Sequence, residues 1–292
     1  MERLLIIGCG DIARRTIQLL GKRYRIYTLI RNGTQRDALR AMGIVPIPGD
    51  LDSRKQLSRI AGLADIVLHL APPSATGVKD FRTHHLLAAL AQGTLPRQFI
   101  YISTSGVYGD CAGAWVSETH TVNPQSARAQ RRVDAESQLR YWAQGNGVKA
   151  SILRVPGIYA EDRLPLERLQ TGMPAIAAGE DSYTNHIHAD DLARIIVSAV
   201  RRGQPNRVYH ASDDGVMKMG DYFDVVADAH NLPRPPRITR AEAQRVLPES
   251  LLSFMNESRR LTNTRMKQEL QVRLHHPTVR HTLAHHAYDS SV

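Results

Sequence analysis

The sequence predicts an α/β fold: a doubly wound parallel sheet of the Rossmann kind, with a smaller, discontinuous C-terminal lobe. Three observations carry this. Short apolar runs alternate with segments of helical apolar spacing from the first residues onward. The runs are almost continuously apolar, as strands covered on both faces require. The first run leads into a glycine-rich turn, Gly8-Cys9-Gly10-Asp11-Ile12-Ala13, which opens the first helix.

Residues 4–7 read as the first strand and 12–20 as its helix. Residues 24–30, rich in β-branched and aromatic side chains, read as the second strand. A short helix over 34–42 leads to a third strand at 44–47. A helix at 57–63 precedes a buried strand at 65–70, and a helix over 78–92 leads to a strand at 98–103. The long helix at 125–144 precedes a strand at 150–155. After Pro156 the pattern loosens around Pro165, Gly172, Pro174 and Gly179. A helix at 192–200 and a last sheet strand at 207–210 follow, then helices broken by Pro233, Pro235, Pro236 and Pro248. The expected division is a core of residues 1–160 plus about 186–212, with 161–185 and 213–292 forming the substrate-side lobe of one structural unit.

Composition sets bounds. The chain has 292 residues, 42% hydrophobic and 23% charged, a globular balance. Two cysteines are too few for a disulfide scaffold or a cysteine-rich zinc module. No apolar run reaches the roughly 18–20 residues of a membrane span, and the opening MERLLIIGCGD reads as a strand entering a turn. The expected location is therefore the cytoplasm, without a membrane partner. The formal charge is +10, but only six of the 38 basic residues are lysines. The charges are dispersed without a basic run, so nucleic acid is not the expected partner; a small-molecule substrate is. His275, His276, His281, His285 and His286 read as a surface cluster, and no metal site is expected.

The glycine turn carries the first chemistry. Glycine lets the backbone turn tightly against a pyrophosphate, Ala13 lets the helix pack closely, and the helix N-terminus favours the anion. Gly8, Gly10, Asp11, Ile12 and Ala13 are thus candidate dinucleotide-binding residues. Where an acid at the end of the second strand would bind the ribose hydroxyl of NAD, this chain has Arg31, then Asn32, with Arg36 nearby. A guanidinium binds a 2′-phosphate that a carboxylate repels, so the reading favours NADP(H) over NAD(H).

From Gln98 the chain reads QFIYISTSGVYGD. With the glycine turn, this resembles the extended short-chain dehydrogenase/reductase superfamily, the NAD-dependent epimerase/dehydratase group. Coverage is nearly the whole chain. Gly49-Asp50-Leu51 resembles the family's adenine-binding acid and its neighbour, and Leu70-Ala71-Pro72-Pro73 the strand end beside the cofactor ribose. Pro156-Gly157 resembles the turn at the nicotinamide. Asn185-His186-Ile187-His188-Ala189-Asp190-Asp191 is similar to a family signature before a helix. Asn263 to Leu270 is similar to a pattern of the atypical YeeZ-like subgroup. The resemblance implies that Thr104 hydrogen-bonds the reacting oxygen and that Ser105, Tyr159 and His186 lie on the substrate side. It also implies a homodimer through the helices at 78–92 and 125–144.

One departure is decisive. The family's Tyr-x-x-x-Lys pair is missing: none of the ten tyrosines has a lysine four residues on. The pair's positions hold Arg128 and Arg132, which share a helix face and can hold an anionic or phosphorylated substrate but cannot donate a proton. Tyr108 of the VYG motif and Thr104 remain as candidate catalytic groups. The expected function is an NADP(H)-binding oxidoreductase or epimerase-like enzyme with an atypical proton relay. The alternative is a catalytically silent NADP(H)-binding sensor or scaffold.

Overall fold

The alternation builds one seven-stranded sheet in the computed structural model, which describes residues 1–289, with the side chains of Ser250 and of residues 285–289 outside that description. The part of the terminal histidine cluster at His285 and His286 therefore lies outside the described residues. The strands are β1 (Glu2–Ile7), β2 (Tyr24–Ile30), β3 (Val45–Pro48), β4 (Ile66–His69), β5 (Gln98–Thr104), β6 (Lys149–Val155) and β7 (Arg207–His210). Their spatial order is β7-β6-β5-β4-β1-β2-β3, and every pairing is parallel. Chain order reverses between β1 and β4, which leaves a crevice at their C-terminal ends.

Period-two alternation sorts each strand between two cores. Leu4 and Ile6 of β1, with Ile66 and Leu68 of β4, face α1 (Asp11–Leu20) and α6 (Ala189–Arg202). Leu5 and Ile7, with Val67 and Phe99, face α3 (Phe81–Leu90) and α4 (Ala127–Gly145). α1 buries Ala13, Thr16, Ile17 and Leu20, a stripe at helical spacing.

The helix expected at 34–42 is a 3₁₀ turn (Gly33–Gln35) followed by α2 (Arg36–Ala41). The one expected at 57–63 is a 3₁₀ segment, Arg54–Ile60. Its two buried residues, Leu57 and Ile60, are three apart, which a three-residue turn places on one edge. α3 starts at Phe81 rather than Val78 because the Asp80 carboxylate accepts from the N–H groups of Arg82 and Thr83.

The substrate-side lobe is knitted from distant segments. Gly157–Tyr159 pairs in parallel with His186–His188. Around them pack α5 (Leu166–Gln170), α7 (Met219–Ala229), α8 (Arg240–Val246), α9 (Glu249–Met255) and α11 (Val279–Asp289). The expected boundary at 213 needs correction at α10 (Thr264–Leu270). Met266, Leu270 and Val272 join the core beside α6 and Tyr209, so this segment returns to the sheet.

Candidate functional site

Two cavities open along the C-terminal edge of the sheet. The first, about 230 Å³, lies over β1, β2 and β4. Gly8 has φ +95°, and a Cβ there would stand 2.6 Å from the backbone nitrogen of Ala71, so only glycine fits. Gly10 is the N-cap of α1, and no side chain caps that helix end. A Cβ on Gly10 would meet nothing within 4 Å. The orphan N–H groups of α1 therefore face open space beside a backbone stripped of side chain, a fit for a dinucleotide pyrophosphate.

Of the expected cofactor residues, Gly8, Arg31, Asn32, Asp50, Leu51, Ala71 and Pro72 line this cavity together with Cys9. Ile12 and Ala13 pack behind the turn. The Asp11 carboxylate is engaged by Arg15 at 3.0 Å and Arg163 at 3.1 Å. Two expectations need correction. Arg36 is exposed in α2 and does not line the cavity; the preceding 3₁₀ turn brings Gln35 there instead. Leu70 does not line it either, because its side chain packs against the α1–α6 core while its N–H donates to Ile7. Arg82 is a lining residue that sequence reasoning missed. It is held by Asp52 at 2.6 Å and by the carbonyls of Pro72 and Pro73, partners that no local pattern reveals.

The second cavity, about 340 Å³, lies between the ends of β5 and β6 and the lobe. Thr104, Ser105, Arg128 and His186, expected on the substrate side, line it together with Pro156 and Gly157, which were expected at the nicotinamide. Residues that sequence reasoning did not single out complete it: Arg168 of α5, Tyr183, Tyr222 of α7, Phe254 of α9, Glu257 and Arg259. The sequence assigns the segments at 161–185 and beyond 213 to the substrate side as regions, without singling out their residues. His186 stacks on Tyr222 at 4.2 Å, and burial depresses its pKa to about 3, so the imidazole is neutral. Gly106 leaves a gap on the cavity wall. The point its Cβ would occupy is 3.5 Å from both Thr104 Oγ1 and Glu257 Oε2. A hydroxyl and a carboxylate thus flank one small space.

Tyr108 is placed elsewhere. It is 1% exposed and belongs to a buried network under the sheet edge. Arg154 donates to its hydroxyl oxygen at 2.7 Å, and that hydroxyl lies 2.5 Å from His210 Nε2. His210 Nδ1 is 2.8 Å from the Thr262 carbonyl, which assigns the ring proton to Nδ1 and makes Nε2 the acceptor. Arg154 also grips Glu136 through two nitrogens, at 3.0 and 2.7 Å. Burial raises the Tyr108 pKa to about 12 against the opposing pull of Arg154. Its expected part in proton transfer is corrected to a structural one. Tyr159 is corrected likewise: it is buried, lies 3.1 Å from Thr282 Oγ1, and backs the cavity through edge contacts with His186 and His188.

The two arginines at the expected Tyr and Lys positions part company. Arg128 lines the cavity, its guanidinium 3.9 Å over the Phe254 ring. Arg132 does not line it. It turns back to donate to Tyr101 Oη at 3.0 Å and to the Ile102 carbonyl at 2.8 Å, so its substrate role is corrected to bracing β5. His69 is buried against Thr83 at 3.1 Å, and burial holds its pKa near 3. Beyond the cavity, His188, Asp190 and His276 bring three ligand-type atoms within 4.8 Å of one another. The two imidazoles are stacked at 3.6 Å, and Arg15 already pairs with Asp190 at 2.6 Å. Cys9 and Cys111 are both free, and among the described residues no helix is long and apolar enough to cross a membrane.

Residues 5–212 match the model of the NAD dependent epimerase/dehydratase family. A functionally unknown conserved protein from Silicibacter pomeroyi DSS is 30% identical, with all of both chains covered and a TM-score of 0.79. A UDP-glucose 4-epimerase from Thermotoga maritima, solved with UDP-glucose, is 18% identical over 99% of each chain with a TM-score of 0.77, a likeness of fold. Among curated proteins, a 4-hydroxy-2-methyl-3-oxo-4-farnesyl-3,4-dihydroquinoline-1-oxide ketoreductase from Stigmatella aurantiaca is 22% identical over 80% of this chain and 74% of its own length. The match to the human dTDP-D-glucose 4,6-dehydratase, 25% identical, spans 50% of this chain and 47% of that protein.

Proposed function

The chain belongs to the NAD dependent epimerase/dehydratase family, and we propose that it is an NADP(H)-dependent oxidoreductase or epimerase-like enzyme acting on a small hydroxyl or carbonyl compound. The observation that carries this is the pairing of cavities. An open glycine face with a basic rim stands beside a space flanked by Thr104 Oγ1 and Glu257 Oε2.

In this reading the α1 N-terminus holds the pyrophosphate and Arg31 holds the 2′-phosphate of the adenosine ribose. Pro156 and Gly157 border the nicotinamide. The bound dinucleotide supplies or accepts a hydride. Thr104 orients the substrate oxygen by hydrogen bonding through Oγ1. Glu257 replaces the absent tyrosine as the group that takes or gives the substrate proton at Oε2. Arg259, 2.9 Å from Glu257 Oε2, fixes the orientation of that carboxylate. His186, kept neutral by burial, shapes the wall instead of carrying the proton.

A second reading, a cofactor-binding sensor without turnover, draws on the departure at Arg128 and Arg132. A single experiment separates the two. NADPH is bound, and its oxidation is followed across a panel of ketones, aldehydes, oxo acids and nucleotide sugars. Consumption with one class, abolished in Glu257→Gln, is expected. Tight NADPH binding with no consumption anywhere in the panel favours the sensor. The exposed side chains Val78, Phe81 and Tyr141 on or beside α3 and α4 suit a homodimer seam. Two unpaired cysteines suit the reducing cytoplasm.

A further inference from the structure

The charge balance of the second cavity is lopsided. Its lining carries three guanidinium groups, Arg128, Arg168 and Arg259, against one carboxylate, Glu257. Glu257 is taken by Arg259, and among the described residues neither Arg128 nor Arg168 has a carboxylate within ion-pair distance. Arg168 spends its terminal nitrogens on Met173 Sδ and the Pro174 carbonyl. Its Nε is buried with no hydrogen-bond partner. The Nε of Arg259 is orphaned in the same way, on a side chain more than nine-tenths buried. Unpaired buried donors on charged groups are costly, so the protein alone leaves both guanidinium groups under-satisfied.

Each of the two unpaired guanidinium groups is also held flat on an aromatic ring. Arg128 lies 3.9 Å over Phe254, and Arg168 lies 4.5 Å over Phe223. Stacking fixes each plane. The Arg128 fork has no hydrogen-bond partner among the described residues. Arg168, bonded to Met173 and Pro174, has, besides its buried Nε, only the second hydrogen of each terminal nitrogen left for an oxyanion. Burial disfavours the charged form of both groups, with Glu257 partly offsetting this at Arg128. An anion would relieve that.

We propose that this cavity is an oxyanion subsite, and that the substrate is a compact molecule with one carboxylate or phosphate head held between Arg128 and Arg168 and its reacting oxygen at Thr104. This rests on the catalytic reading above and deepens it. The cavity, about 340 Å³, also borders the nicotinamide position at Pro156 and Gly157. It stands near the small end of the roughly 300–1,000 Å³ range of ligand pockets. A compact acid fits that space.

The test is calorimetric titration of benzoate, phenyl phosphate, neutral benzyl alcohol and UDP into the NADPH-loaded protein. Benzoate or phenyl phosphate is expected to saturate a single site, and whichever binds tighter identifies the head group. Benzyl alcohol is expected to give no saturation, and UDP to bind no more tightly than the preferred anion. Arg128→Gln and, on the other wall, Arg168→Gln should each weaken the anion about tenfold or more, the worth of a charge-assisted hydrogen bond. Circular dichroism checks that both variants are folded, and either one suffices for the comparison. Equal binding of benzyl alcohol, tighter binding of UDP, no anion binding to protein that binds NADPH, or unchanged affinity in the folded variants overturns the proposal. If the anion binds through these arginines while NADPH does not bind, the subsite stands and the catalytic reading falls.

Discussion

At Gly8 a positive φ and the crowding of Ala71 act together, so the turn tolerates no side chain. Gly8→Ala is expected to cost roughly 1–3 kcal/mol of strain and to abolish NADPH binding, measured by thermal melt and titration. Tyr108 offers the opposite test, because its hydroxyl joins Arg154 to His210 without reaching a cavity. Tyr108→Phe should lower stability by about 1–3 kcal/mol, the cost of stranding buried partners. Its turnover at temperatures below the melt should match the parent; a large loss of kcat would return Tyr108 to the catalytic group. The glycine turn, Arg31 and Thr104 were legible because their information is local: a spacing, a strand end, a motif. Glu257, Arg168 and Arg259 were not, since no spacing announces a charge that matters only after distant segments meet.

Among the elements, the joint between α4 and β6 stands out. Glu136 and Arg154 form a buried two-pronged pair, and Ser103 Oγ donates to the same carboxylate at 2.6 Å. Glu136→Gln leaves Arg154 unneutralised in the interior and should cost about 3–5 kcal/mol, read as a fall in the urea midpoint. A change under 1 kcal/mol, the range of exposed ion pairs, would mean the joint is solvated. Strands 24–30 and 207–210 were legible to the residue because apolar runs there end abruptly. Helix starts were less so, since Asp80 caps a turn that apolar spacing alone extends back to Val78. Tyr159 was misassigned because a strand's two faces look alike in sequence, and only its packing beside Thr282 decides which one meets the cavity.

Over the whole molecule, buried titratable groups set the pH response. His69, His186 and His210 have folded pKa values near 3 against an ordinary 6.5, so the unfolded chain takes up protons that the folded one refuses. Below pH 6.5 each then removes stability at up to about 1.4 kcal/mol per pH unit. Asp213 runs the other way: burial raises it to about 8, so its contribution grows as pH falls from about 8 towards 4. Stability should therefore peak near pH 6.5, which urea midpoints at about pH 5, 6.5 and 8 can check; a steady rise from 5 to 8 would exclude the neutral Asp213. The doubly wound sheet was legible from alternation and apolar runs. The lobe was legible only as a region, because its segments find their partners across the chain and α10 leaves it for the core. Cofactor choice is decided at the adenosine end of the first cavity, where Arg31 lies. Calorimetric titration of NADPH and NADH into the parent and Arg31→Asp should give tighter NADPH binding in the parent and a reversed preference in the variant. Tighter NADH binding by the parent would contradict it.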